Sequence, residues 1–291
     1  MSWYYQVELR EGLGPFTNLL KATPQELVKI QPISLAIEQP ITKEEWGYIR
    51  QFHRLAHLKL IKLDKEVFDD VFEKESACLH QLKSLIVGTI YMSSSEVEVL
   101  GRSLKHLTQL TSLDVHSDYL VEMLPILSPF LCDLTALQHL ELVNSGQQVV
   151  DDDDGRKVVP DLSKLTQLRS LHVYRLVDGS NEGSVKALVE MISSLPHLTT
   201  LRLASNQFNP TSIVKLCEVI SQSSELTHLD LSDSTLDEAS MSVLGRVVTN
   251  SPLLHLQLDH IRWESGGFEA LIAQFDDWSR HGKKLLLATV T

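Results

Sequence analysis

The sequence predicts an α/β fold of repeated strand–helix units wound into a right-handed horseshoe, with a parallel sheet on the concave face and helices on the convex face. Three observations predict it. A phrase of three apolar residues, at its first, fourth and sixth positions, returns at intervals of about 28 residues. Its second half alternates apolar and polar residues, the period of a short strand. The segments that follow carry apolar residues at helical spacing.

The clearest copies are Leu110-Leu113-Val115, Leu137-Leu140-Leu142, Leu168-Leu171-Val173, Leu198-Leu201-Leu203, Leu226-Leu229-Leu231 and Leu253-Leu256-Leu258. Weaker copies extend the series upstream through Leu82-Leu85-Val87, Leu55-Leu58-Leu60 and Ile30-Ile33-Leu35 to Tyr4-Val7-Leu9, and downstream to Gly282-Leu285-Leu287. The count is about ten to eleven repeats covering residues 1–291 as a single domain. Helices are expected after the strands, where Val185, Leu188, Val189 and Ile192 share one face, as do Ile213, Leu216, Cys217 and Ile220, and Val243, Leu244, Val247 and Val248. Thr23-Pro24, Asn209-Pro210 and Asp237-Glu238 are helix-start signals. Helices are wider than the roughly 4.8 Å strand spacing, so a stack of such units must curve with its strands inside.

Units of this length with a helical outer layer resemble the ribonuclease-inhibitor-like leucine-rich repeat proteins. The resemblance implies an α/β solenoid that acts by binding other proteins. One departure concerns the turn after each strand, where that class places Asn or Cys three residues beyond the last leucine. Here the site holds Ile90, Asp118, Ser145, Leu176, Asn206, Ser234 and Ile261. Only Asn206 conforms, so irregular turns are expected. A charged run, Asp151-Asp152-Asp153-Asp154-Gly155-Arg156-Lys157, replaces a helix with an acidic loop insertion near 147–160.

The net charge of −12 disfavours nonspecific binding to nucleic acid or to an anionic membrane surface. No stretch reaches the roughly 18 apolar residues of a membrane span, and the N-terminus carries no secretory signal pattern. Three scattered cysteines, Cys78, Cys132 and Cys217, suit a reducing compartment. The expected location is therefore the cytoplasm, or a host cytosol reached without a classical signal peptide. No phosphate-binding glycine loop, G-x-S-x-G elbow, H-E-x-x-H or C-x-x-C pair occurs, so no enzyme class and no cofactor is indicated.

Residues at equivalent positions of neighbouring strands lie side by side, which turns the repeats into a map of the concave wall. The middle outward position runs through Glu141, His172, Arg202 and Asp230. The next holds His116, Tyr174 and Asp259, and the one after it Ser117, Asn144, Arg175, Ser205, Asp233 and His260. His172, Tyr174, Arg175 and Arg202 form a cationic and aromatic cluster of the kind enriched in binding hot spots, and Asp230, Asp233 and Asp259 an acidic one. The alternation of Glu141, His172, Arg202 and Asp230 also suits a ladder of cross-strand pairs. His116, His139, Glu141 and His172 have zinc-ligand chemistry, but parallel strands hold such side chains abreast instead of aiming them at one centre, so no metal is assigned.

These residues predict a non-enzymatic, monomeric interaction scaffold whose concave face binds a partner protein. A bacterial effector acting in a host cell is one setting for it. The alternatives are a GTPase-activating-protein-like regulator of a small GTPase and the substrate-recognition module of a larger complex.

Overall fold

The computed structural model describes residues 4–8, 19–21, 28–29, 31–38, 40–61, 65–74, 79–89, 92–146 and 159–286. The chain divides into two compact units, Met1–His139 and Leu140–Thr291. The acidic loop at 151–157, Cys78 and residues 287–291 lie outside the described residues.

In the first unit, β1 (Tyr4–Glu8) and β2 (Leu19–Lys21) precede four parallel strands, β3 (Ser34–Ile37), β4 (His57–Ile61), β5 (Ser84–Thr89) and β6 (Ser112–Ser117). Leu35, Leu58, Leu85 and Leu113 stand in register and are buried. Helix α1 (Lys43–Ile49) follows β3, α2 (Lys65–Asp69) with a π-helical turn at Asp70–Lys74 follows β4, α3 (Ser94–Leu104) follows β5 and α4 (Leu120–Leu131) follows β6. Capping boxes at Thr42 with Glu45 and Ser93 with Glu96 satisfy the first turns of α1 and α3. Trp46, Phe52, Phe68 and Phe72 are buried in this unit's core.

Two expectations are corrected here. Tyr4-Val7-Leu9 does not open a repeat: β1 runs antiparallel to β3, with Val7 opposite Leu35, and β2 runs antiparallel to β1. A hairpin needs no crossover helix, so the N-terminal segment covers the edge of β3 by the shorter route. The phrase at β3 also sits two residues later than Ile30-Ile33-Leu35 implies, because Leu35 pairs with Leu58 and Ile37 with Leu60. Leu35 is therefore the fourth member of its phrase.

The second unit carries most of β7 (His139–Asn144), then β8 (Ser170–Tyr174), β9 (Thr200–Arg202), β10 (His228–Asp230), β12 (His255–Gln257) and β14 (Lys284–Leu286). Strands β8, β9, β10, β12 and β14 are parallel, with Leu171, Leu201, Leu229, Leu256 and Leu285 in register. Between them lie α5 (Glu182–Ser193), α6 (Pro210–Ile220), α7 (Glu238–Asn250) and α8 (Gly267–Arg280). Asn209 and Asp237 cap α6 and α7 as their sequence signals predict. A separate parallel pair, β11 (Thr235–Leu236) with β13 (Arg262–Trp263), forms beyond two of the turns. Trp263 is half-buried there, edge-on to Phe268 at 5.6 Å. Lys283 closes the last repeat by donating from Nζ to the carbonyls of Ser251 (2.8 Å) and Leu253 (2.7 Å).

One backbone device recurs at the strand entrances. A carbonyl accepts two successive N–H groups from the following repeat: Lys83 O from Thr111 and Ser112, Arg169 O from Thr199 and Thr200, and Thr199 O from Thr227 and His228. The hydroxyls of Thr111, Thr199 and Thr227 donate to the same three carbonyls at 3.0, 2.9 and 3.1 Å. Threonine thus suits this position twice, as a β-branched residue and as a donor.

Strand exits come in two kinds. In β6 and β7 the strand continues until Ser117 and Asn144, both about 1% exposed, so these side chains point into the core and not outward as the repeat map predicts. In the second unit Arg175, Ser205, Asp233 and His260 take left-handed conformations, with φ of 52°, 61°, 61° and 53°. That reversal turns the next residue inward, and Leu176, Asn206, Ser234 and Ile261 are all buried. Asn206 ties its turn fully. Its Oδ1 accepts from the N–H groups of Leu176 (3.0 Å) and Val177 (2.9 Å), and its Nδ2 donates to the carbonyls of Val173 and Leu203, both at 2.8 Å. The Ser234 hydroxyl has no partner in the equivalent place. Asn206→Ala would strand two buried donors and two acceptors, lowering stability by about 3 kcal/mol, whereas Ser234→Ala should stay within about 0.5 kcal/mol of the native chain. Urea unfolding of the two variants checks this, and equal losses would contradict it.

Candidate functional site

The open face of the second unit's sheet is set by register. Ser170, Thr200, His228, His255 and Lys284 begin the strands, and His172, Arg202, Asp230, Gln257 and Leu286 stand two residues further on. The leucines between them point to the helices. Hydrogen bonds from Leu203 N to Asp230 O and from Leu231 N to Gln257 O carry the ladder onward, so Tyr174, Ala204, Ser232 and Asp259 share the next row.

The predicted site residues separate by what already holds them. His172 belongs to the fold: its Nδ1 donates to Glu141 Oε2 at 2.7 Å, and its Nε2 lies 3.2 Å from the Ser170 hydroxyl. Its side chain is only 14% exposed. In the first unit, His139 and Asp114 approach in the same way at 3.2 Å. The Glu141–His172 contact is one pair of the cross-strand ladder that the sequence suggests.

Asp230 is buried, at 8% exposure, although its position in the repeat is outward. Its Oδ1 accepts from the Ser232 N–H (2.9 Å) and the Ser232 hydroxyl (2.6 Å), a local turn that draws the carboxylate onto its own backbone. Asp233 is exposed and accepts from the Ser205 hydroxyl, and Asp259 accepts from Gln257 Nε2 at 2.6 Å. The acidic group therefore exists as three carboxylates each engaged by a neighbour.

Tyr174, Arg175 and Arg202 are different. Tyr174 is half-exposed and Arg175 and Arg202 are exposed, and none of the three has an ion-pair partner among the described residues. The Arg175 guanidinium lies 5.2 Å from the Tyr174 ring centre, a cation–π contact that pre-orders both side chains.

Beside Arg202, the repeat map leaves one arrangement unread. His228 and His255 stack face to face, with ring centres 4.3 Å apart and planes inclined by 14°. Thr227 Oγ1 gives its proton to the Thr199 carbonyl, so it accepts from His228 Nδ1 at 2.8 Å and leaves Nε2 as the nitrogen that gains a proton. Desolvation, then the His255 and Arg202 charges, hold the His228 pKa below the usual histidine value. The signal in the sequence is a histidine at the same place in consecutive phrases.

On the helix side, a groove between α6 and α7 contains Cys217, Glu218, Val243 and Arg246. Burial, then the Glu218 charge, pushes the Cys217 thiol up to about 12. A thiol so rarely ionised is a poor nucleophile.

A histidine pKa lowered in the folded state means that the unfolded chain binds more protons. Stability is then lost as pH falls through the ordinary histidine range towards the folded-state value. His228→Gln should shrink the drop in urea midpoint between about pH 7.5 and about pH 5. An undiminished drop would contradict the assignment.

A family model described as a leucine-rich repeat region matches residues 35–266. No curated protein sequence gave a match. Among solved structures, the chain is similar to a protein from Bacteroides fragilis, at 14% identity and a TM-score of 0.44 over 76% of this chain and 68% of that one. It is also similar to an internalin from Listeria monocytogenes, at 16% identity and a TM-score of 0.37 over 96% and 92%. A third similarity is to the leiomodin-1 actin-binding site 2, at 15% and 0.35 over 66% and 95%. No helix among the described residues is long and apolar enough to cross a membrane. The family match spans most of the chain and begins on β3, the first strand of the in-register leucine column: the protein belongs to the leucine-rich repeat family, whose members are generally non-enzymatic binding scaffolds.

Proposed function

We propose that this chain is a non-enzymatic scaffold that binds a partner protein through the open sheet face of β8 and β9, with Tyr174, Arg175 and Arg202 as the anchors. The observation that carries the proposal is the contrast in engagement. His172, Asp230, Asp233 and Asp259 are each held by a neighbour, whereas these three present an aromatic ring and two guanidinium groups without ion pairs. Tyrosine and arginine are the residue types that most often dominate binding energy. The stacked histidine pair and the carboxylates then act as the surrounding frame. The proposal keeps residues 1–291 as one ribonuclease-inhibitor-like repeat domain, monomeric in solution. It sets the protein in a cytosol, its own or that of a host cell reached by a delivered effector.

Affinity capture from eukaryotic cytosol tests the proposal, comparing the native chain with a Tyr174→Ala, Arg175→Gly, Arg202→Glu variant. Glycine relieves the left-handed backbone at position 175 while deleting the side chain, so this substitution should not weaken the fold. A partner retained by the native chain should bind the variant at least about tenfold more weakly, at unchanged urea midpoint. Equal capture by both proteins would move the binding surface elsewhere.

A further inference from the structure

We infer that the open face across β9, β10, β12 and β14 accepts an acidic polypeptide segment, its carboxylates seated against Arg202, the stacked His228 and His255, and Lys284. The inference rests on the proposed scaffold role and adds the chemistry of the partner. Register brings these four side chains onto one face of four neighbouring strands: His228 is paired with His255, His255 with Lys284, and Arg202 stands two residues beyond Thr200, the partner of His228. Arg202, His228 and Lys284 are exposed and His255 is half-buried. None of the four has a carboxylate partner among the described residues.

The groups around the histidine pair settle the sign of the charge this face lacks. Thr200 stands opposite His228 on β9, with Arg202 two residues beyond it, opposite Asp230 and close enough for its charge to act on His228; His255 faces His228 from β12, and Lys284 lies beyond His255 on β14. On β10 itself, Asp230 is buried and bound to Ser232. At the adjoining turns, His197 and Glu225 satisfy each other at 2.9 Å. The remaining neighbours, Thr200, Thr227 and Gln257, are uncharged. The ionisable side chains left without a bonded partner beside the stack are thus bases, and charge complementarity favours an anion as their partner.

Protonation follows from the same geometry. His228, stacked on a second imidazole and near a guanidinium, resists taking up a proton, and a carboxylate docked against it removes that resistance. Binding therefore takes up protons, and affinity rises as pH falls through the histidine range. The glutamates of the ligand stay ionised through this range, since their ordinary pKa is about 4.3.

The test uses a fluorescein-labelled oligoglutamate of about ten residues as the probe and fluorescence anisotropy on the full chain at about pH 5.5 and about pH 7.5. Oligoglutamate should bind at least about threefold more tightly at the lower pH, and a His228→Gln, His255→Gln variant should lose most of that difference. Arg202→Ala should weaken binding at both values. No binding of oligoglutamate, or a pH response unchanged in the histidine variant, overturns the inference. Tighter binding of an oligothymidylate strand than of oligoglutamate also overturns it, in favour of a nucleic acid. A partner captured through Tyr174, Arg175 and Arg202 by a chain that ignores oligoglutamate would leave the scaffold role standing and remove only the acidic segment. Failure of both experiments would remove both.

Discussion

Everything on the sheet face depends on one backbone contact, the carbonyl at each strand entrance that accepts two N–H groups from the next repeat. It fixes where each strand starts relative to its neighbour, and a slip by one residue would exchange the core face for the open face along the whole strand. Thr111, Thr199 and Thr227 add a hydroxyl to the same carbonyls. Once register is fixed, equivalent positions of successive phrases must lie abreast. A surface of side chains can then be read from a one-dimensional sequence.

That explains which parts were legible. The leucines of the clear copies are buried and in register because their spacing and burial have one cause. Apolar spacing carries no strand direction, however, so the segment around Val7 mimics a repeat while pairing antiparallel. At β3, Ile30 and Ile33 satisfy the apolar pattern two residues too early, and only the pairing of Leu35 with Leu58 sets the frame. Ser117 and Asn144 show a third kind of ambiguity. Whether a strand continues or reverses after its last leucine is decided by a single φ angle, which residue type constrains weakly outside glycine.

The binding face was legible in position and less so in availability. The repeat map places His172, Arg202, Asp230, Tyr174 and Asp259 on the open side, but position does not say which polar groups are already bonded. Asp230 followed two residues later by Ser232 is a recognisable local turn, and that short signal overrides the long-range pattern. The Glu141–His172 contact is harder to foresee, since it needs rotamers on two strands to meet. The stack of His228 on His255 is a second such meeting across strands, present in the sequence as a repeated residue and visible only once ring planes are known.

Left-handed backbone at Arg175 invites a functional explanation, since such strain in a residue other than glycine often marks a site. Its siblings argue against it. Ser205, Asp233 and His260 adopt the same conformation at the same point of their repeats, whatever their side chains, so the strain belongs to the strand exit. What distinguishes Arg175 is the ring beneath its guanidinium. A similar separation of scales applies to charge. The net −12 of the chain opposes any acidic partner at long range, but screening at physiological salt confines exposed charges to about 8 Å. Asp230, opposite Arg202, is buried and bonded to Ser232, so Arg202, His228, His255 and Lys284 remain as side chains of this face without a carboxylate partner among the described residues. Encounter with an acidic partner should be slow and the contact, once made, specific, because the attraction is felt only where these side chains stand.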